Sequence, residues 1–168
     1  LKALEILDKL GWHTTMEQRK DGLSHTSWKG RFTVIHKKPL FIVDGAHNAG
    51  AADKMAESIR HYFNGKKLIY IMGVFADKEY KIVLEKTAHF AEKIYTIETP
   101  DNPRALPAEE LAKAARVYNS SAESTKSIKD AVEKAFSCAG DDENSVILAF
   151  GSLSFIGALT DAVEEYVG

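Results

Sequence analysis

Leu40-Phe41-Ile42-Val43-Asp44-Gly45-Ala46-His47-Asn48-Ala49-Gly50 is the stretch that decides the fold. Four consecutive apolar residues predict a strand covered on both faces, because a half-exposed strand alternates apolar with polar side chains. The run then gives way to a carboxylate, a glycine, an imidazole and a carboxamide. A helical stripe of Met55, Ile59, Tyr62 and Phe63 follows. Working outward, the same unit recurs. Residues 68–72 and 146–150 are apolar throughout, residues 94–97 are apolar but for Thr96, and residues 121–125 form a weaker fifth strand. Between and after them lie helical patterns. Tyr80, Val83, Leu84 and Phe90 mark one stripe, and Phe155, Leu159, Val163 and Tyr166 mark the last. Pro107 suits a first helical position, with Glu109 and Glu110 in the favourable first turn and Leu111, Ala115 and Tyr118 behind them. Ser127 and Asp130 have capping-box spacing ahead of Val132 and Phe136. Strand, helix, strand repeated in this way predicts an α/β fold: three layers, Rossmann-like, a mostly parallel sheet with helices on both faces.

The first part of the chain reads differently. Leu1, Leu4, Leu7 and Leu10 fall at helical spacing, and Gly11 is a plausible stop. A charged stretch occupies residues 18–22. Residues 28–35 then read as a turn feeding a strand, and Pro39 separates that piece from the alternating region. The expected division is residues 1–37, a tail and hinge of a preceding domain, and residues 38–168, the α/β domain. Leu1 opens inside a helical pattern with no cap before it, so the chain is expected to be a piece of a longer protein.

Composition narrows the function classes. The formal net charge is −2 with no basic block, which predicts neither a nucleic-acid nor a membrane-surface partner. No apolar run is long enough to span a bilayer. The single cysteine, Cys138, has no partner for an internal disulfide and reads as a small hydrophobe on a helix face, so a reducing, cytoplasmic setting is expected. His13, His25, His36, His61 and His89 are scattered without metal-ligand spacing, so no protein-only metal site is expected.

In open parallel sheets ligands bind beyond the carboxyl ends of the strands, so the residues just after each strand carry the functional signal. They are Asp44-Gly45-Ala46-His47-Asn48, then Gly73-Val74 with Asp77-Lys78, then Pro103-Arg104-Ala105-Leu106, then Gly151-Ser152-Leu153. Trp28-Lys29-Gly30-Arg31-Phe32 precedes them all. Backbone N–H groups at the helix start after Asn48 are expected to favour an anion. Taken singly, each position also has a plain structural reading. Asp44 and His47 suit helix caps, Asp77-Lys78 a solvated turn, Arg104 open surface, and Gly151-Ser152 a strand-to-helix turn. Arg31 suits a cation stacked on Trp28.

In that order the motifs resemble the folylpolyglutamate synthase/dihydrofolate synthase branch of the Mur ligase superfamily, from about Gly22 to the end. Three positions depart from the family pattern: Ala49 stands where proline is usual, Ser154 where tyrosine is usual, and Glu79 where aspartate is common. The resemblance implies a Mur ligase C-terminal domain, with residues 1–37 as the tail of the central ATPase domain. It implies an ATP-dependent ligase that activates a folate or dihydropteroate carboxylate as an acyl phosphate and joins L-glutamate to it. Arg31 and Asp44 would contact ATP, Asp44 through nucleotide hydroxyls or water. His47, Asn48 and Ser152 would contact glutamate, with His47 as a candidate general base. The family's phosphate loop, magnesium ligands and folate pocket would lie outside this chain, which contains no Gly-x-x-x-x-Gly-Lys-[Ser/Thr] run. ATP and Mg2+ are therefore the implied cofactors, the isolated chain is expected to be inactive, and a monomer is expected.

Two alternatives stay open. A cell-wall Mur-type amino-acid ligase shares the architecture, although the Asp44 to Asn48 run speaks against it. A non-catalytic α/β binding module is the other. A receiver would want an acidic cluster with a late lysine, and a dinucleotide-binding domain would want Gly-x-Gly-x-x-Gly after a strand. Neither is evident in the sequence.

Overall fold

The computed structural model describes residues 2–26, 28 and 30–168. Leu1 of the first stripe and Lys29 of the tryptophan turn lie outside the described residues. Six strands form one sheet: β1 (Thr33–Lys37), β2 (Leu40–Asp44), β3 (Lys67–Met72), β4 (Lys93–Thr96), β5 (Ala122–Ser124) and β6 (Ser145–Phe150). Their order is β1-β2-β6-β3-β4-β5, parallel throughout except for β1, which pairs antiparallel with β2. The helices are α1 (Lys2–Lys9), α2 (Met16–Ser24), α3 (Ala49–Tyr62), α4 (Tyr80–Thr87), α5 (Ala108–Arg116), α6 (Ile128–Ala139) and α7 (Ile156–Val167).

Two apolar layers explain why the central strands β3 and β6 are apolar at every position after their first residues, Lys67 and Ser145. Leu68, Tyr70 and Met72 of β3 and Val146, Leu148 and Phe150 of β6 face one cluster with α3, α4 and α5. The alternate residues Ile69, Ile71, Ile147 and Ala149 face the other cluster, with α6 and α7. Successive side chains point to opposite faces, so a strand sandwiched between helices has no position for a polar residue. The three-layer α/β expectation is met, the weak fifth strand included. The stripes on α3 to α7 are buried or partly buried except for Tyr62, Tyr118 and Tyr166, which are exposed, whereas α1 buries no residue and its leucine stripe leaves Leu7 and Leu10 exposed.

Two local features differ from the sequence reading. The charged stretch at 18–22 lies inside α2, which Thr15 starts with a capping box: its side chain accepts from the Gln18 N–H, and the Gln18 side chain accepts from the Thr15 N–H. The cap outweighed the lack of an apolar stripe, and α2 accordingly buries no residue. Second, Pro39 sits in the hairpin turn between β1 and β2, so the division expected between residues 37 and 38 falls within a hydrogen-bonded hairpin of the same sheet. By packing, β1 goes with the α/β layer, and α1 and α2 precede it.

β6 enters the sheet between β2 and β3, so the chain leaves β2 in one direction and returns from the other side. That is the topological switch point where open α/β sheets place ligands. The loops after β2, β3 and β6 meet there.

A candidate ligand site at the carboxyl rim of the sheet

The site begins at the end of β2. Both oxygens of the Asp44 carboxylate accept backbone N–H groups, from Phe32 at 2.8 Å and from Ala46 at 2.8 Å. Phe32 has φ 45°, a left-handed conformation that is costly for a bulky residue. Asp44 supplies the acceptor that holds it there, and the Phe32 ring is stacked on Phe63 at 6.0 Å between centroids. Arg31 therefore projects from a turn fixed at both flanks, since Gly30 on its other side is buried. Arg31 itself is exposed. With Asp44, Lys54 and Ser58 it lines a cavity of about 280 Å³. The hydrogen bond from Phe32 to Asp44 fixes the backbone from which Arg31 extends, while the Arg31 side chain itself stands exposed at the cavity.

Three residues on, the His47 ring lies with Nδ1 2.7 Å from the Gly45 carbonyl. A carbonyl can only accept, so Nδ1 carries the proton and donates, and in the neutral ring Nε2 is left as the acceptor. Asn48 is occupied within the fold, where its side-chain oxygen caps α3 by accepting the Ala51 N–H at 2.9 Å. The Glu79 carboxylate accepts the Ala49 N–H at 3.1 Å. Two of the N–H groups expected to favour an anion at this helix start are thus already bonded within the chain.

A second cavity, of about 340 Å³, brings His47 and Ser152 together with Lys78 and Arg104. Asn48 lines neither cavity. The loops after β3 and β4 are tied to each other here. The Ala76 N–H donates to the Arg104 carbonyl at 2.8 Å, and the Leu106 N–H to the Val74 carbonyl at 3.0 Å. Arg104 lies over the Phe75 ring at 4.9 Å and donates to Asp77 from Nε at 3.2 Å and from Nη2 at 2.5 Å. The sequence reading had Arg104 and Lys78 inside motifs but gave neither a role. What it could not show is that the two loops zip together and bring both cations beside His47. Ser152 is buried, and its hydroxyl shares a 2.7 Å hydrogen bond with that of Ser154. Ser154 also donates its N–H to Ser152 Oγ at 3.3 Å, so the residue that stands in for tyrosine orients the buried serine. Among the described residues, no group of three or more His, Cys, Asp or Glu side chains is placed to hold a metal.

The hydrogen bonds from Arg104 hold the Asp77 carboxyl below the ordinary carboxylate range. A lowered folded-state value means the pair's contribution is present above the unfolded value and lost as pH falls through the folded one. A carbon-detected NMR titration of the chain is expected to show Asp77 protonating below an ordinary aspartate, and Arg104→Ala to return its midpoint toward the ordinary value. An unmoved midpoint would mean that the pair does not persist in solution.

Comparison with known proteins adds independent findings. The profile of the family described as "Mur ligase, glutamate ligase domain" matches residues 30–153. The dihydrofolate synthase/folylpolyglutamate synthase of Bacillus subtilis is 28% identical over 144 residues, covering 86% of this chain and 32% of that protein. The UDP-N-acetylmuramoyl-L-alanyl-D-glutamate–2,6-diaminopimelate ligase of Helicobacter pylori is 32% identical over 130 residues, 73% of this chain and 28% of that protein. Among solved structures, E. coli FolC in complex with DHPP and ADP superposes with a TM-score of 0.84 at 21% identity, covering 99% of this chain and 38% of that one. That likeness shows the fold. The chain spans about a third of the length of these relatives.

Proposed function

The chain belongs to the Mur ligase, glutamate ligase domain family, and on that premise we propose that it is the C-terminal domain of a cytoplasmic, ATP-dependent ligase that joins L-glutamate to folates or dihydropteroate. The observation that carries this reading is the pairing of two cavities on one rim. One presents Arg31 and Lys54, and the other presents His47, Lys78 and Arg104. Cations suit phosphate oxygens in the first, where arginine offers a forked, permanent charge and Lys54 is paired with Glu57. In the second they suit the two carboxylates of glutamate.

In this reading Arg31 contacts ATP phosphates, and Asp44 keeps the turn in place while offering its remaining lone pairs to nucleotide hydroxyls. ATP supplies the phosphoryl group that activates the folate carboxylate. His47 Nε2 meets the incoming amine, orienting it and accepting a proton as it attacks. Ser152 and Arg104 orient the glutamate, and Asn48 contributes through its cap. Mg2+, the phosphate loop and the folate pocket belong to the part of the ligase outside this chain, to which α1 and α2 form the connection. A monomer that closes its two parts over the reactants would exclude water from the acyl phosphate.

Steady-state kinetics of the complete ligase test the proposal. ADP release is expected to require both a folate acceptor and L-glutamate. His47→Ala is expected to raise the KM for glutamate about ten- to a hundredfold, the equivalent of one lost charge-assisted contact, while barely moving that for ATP. Parallel losses for both substrates with a large fall in melting temperature would return His47 to a structural role. The likeness to the Helicobacter pylori protein supports a second reading, a cell-wall ligase. Turnover with 2,6-diaminopimelate in place of glutamate would select it.

A further inference from the structure

Leu153 is an apolar residue in an unusual place. It opens the short 3-10 turn Leu153–Phe155 after β6, lies 45% exposed, and forms part of the wall of the cavity that holds His47 and Arg104. Its other side is seated on two glycines from two other segments. A Cβ on Gly45 would stand 2.5 Å from Leu153 Cδ2 and 2.6 Å from its Cγ, and a Cβ on Gly30 would stand 2.8 Å from Cδ2. No real Cβ tolerates such distances, so the leucine fills the space that these two glycines leave open. Gly45 does not have a left-handed φ. Its lack of a side chain is required for space alone. Gly30 and Gly45 adjoin Arg31 and Asp44, two of the residues that line the first cavity, whereas Leu153 adjoins Ser152 of the second.

We propose that Leu153 is a positioning residue: its side chain, clamped on Gly30 and Gly45, sets the relation between the cavity of Arg31 and Asp44 and the cavity of His47 and Ser152. Asp44 pins the Phe32 turn from the polar side through its N–H, and Leu153 holds the same turn from the apolar side through Gly30. The turn is thereby restrained from two sides. Misplacing reactants by an ångström is enough to lose most of the advantage of holding them together, so a clamp between two ligand cavities acts on both ligands at once. The assignment of ligands to the cavities rests on the proposed function, but the clamp does not.

Amide hydrogen exchange on the chain tests the clamp without any ligand. Leu153→Ala is expected to lower the protection of the Phe32 and Ala46 N–H groups about tenfold or more, while the central Ile71 and Ile147 amides keep theirs. Leu153→Met, which keeps the apolar bulk, is expected to restore it. Gly45→Ala is expected to lower the melting temperature in the parent chain and to be nearly silent beside Leu153→Ala, because the obstructing methyls are then gone. Unchanged protection at Phe32 in Leu153→Ala, or an equal cost of Gly45→Ala in both backgrounds, overturns the proposal. In the complete ligase, Leu153→Ala is expected to raise the KM for ATP as well as that for glutamate about tenfold, with rescue by Leu153→Met. A ligase indifferent to glutamate would overturn the proposed function and leave the exchange result standing.

Discussion

Gly151→Ala is expected to cost the fold about 3–5 kcal/mol, combining left-handed backbone strain with an overpacked contact that has nowhere to relax. Gly151 has φ 120°, and a Cβ there would stand 2.4 Å from the Gly73 carbonyl oxygen and 2.8 Å from Val74 Cγ1. The obstacle at Gly73 is backbone, so no rotamer change can remove it. The loops after β3 and β6 pass each other at this point, and Gly151 lines the cavity that holds Ser152 and His47. For a chain of this size the melting temperature should fall by roughly 10–15 °C. Two other glycines serve as controls. Gly65 also has a positive φ, 74°, but a Cβ there meets nothing within 4 Å. Gly65→Ala should therefore cost only the conformational strain, about 1–2 kcal/mol. Gly157 lies in α7 with open space around it, so Gly157→Ala should stabilise the chain by about 0.4–1 kcal/mol. A calorimetric series in which Gly151→Ala melted no lower than Gly65→Ala would show that the two loops are further apart than 2.4 Å implies.

These glycines mark the boundary between what the sequence discloses and what it does not. The strands were legible because burial on both faces leaves a continuous apolar run, and the stripes on α3 to α7 because only one face of each is covered. That signal is local and repeats with a fixed period. α2 lacked it, since nothing in α2 is buried, and its only local mark was the spacing of Thr15 and Gln18. The antiparallel β1 was misplaced relative to the sheet because Pro39 looks the same in a hairpin turn as in a linker. At the rim, the residue types were readable and their partners were not. Arg104 and Asp77 are 27 positions apart and meet only because β3 and β4 are neighbours. Asn48 was expected at a ligand, but an asparagine one residue before a helix is equally a cap, and the Ala51 N–H claims it. Sequence order pointed to the loops that line the candidate site, whereas the contacts within them depend on segments far apart in the chain.

Asp44 and Arg31 show that division most sharply, and their alanine variants should separate cleanly. The resemblance read from the sequence implies an ATP contact for each, Asp44 through nucleotide hydroxyls or water, and nothing in it separates their weight in the fold. In the fold, Asp44→Ala removes the acceptor of two backbone N–H groups at once and leaves Phe32 in a left-handed conformation with nothing to compensate it. Each partly buried N–H left without a partner costs about 1–3 kcal/mol, and a carboxylate acceptor lies toward the upper end. The expected loss for Asp44→Ala is about 2–4 kcal/mol, or roughly 5–15 °C in melting temperature. Asp44→Asn keeps one acceptor oxygen and turns a donor toward the other N–H, so it should fall between the parent and alanine. Arg31 is exposed and takes part in the turn through its backbone N–H, which the substitution keeps, so Arg31→Ala should change stability by less than about 0.5 kcal/mol. If the proposed function holds, the ranking on ATP use in the complete ligase should be closer, since Arg31→Ala would remove the proposed phosphate contact outright, while Asp44→Ala would release the turn that presents it. The measurement pairs melting curves of this chain with the KM for ATP of the ligase. An Asp44→Ala chain that melts with the parent would remove the pin and leave Asp44 as a ligand contact alone. An Arg31→Ala chain several degrees less stable would show that the guanidinium belongs to the fold.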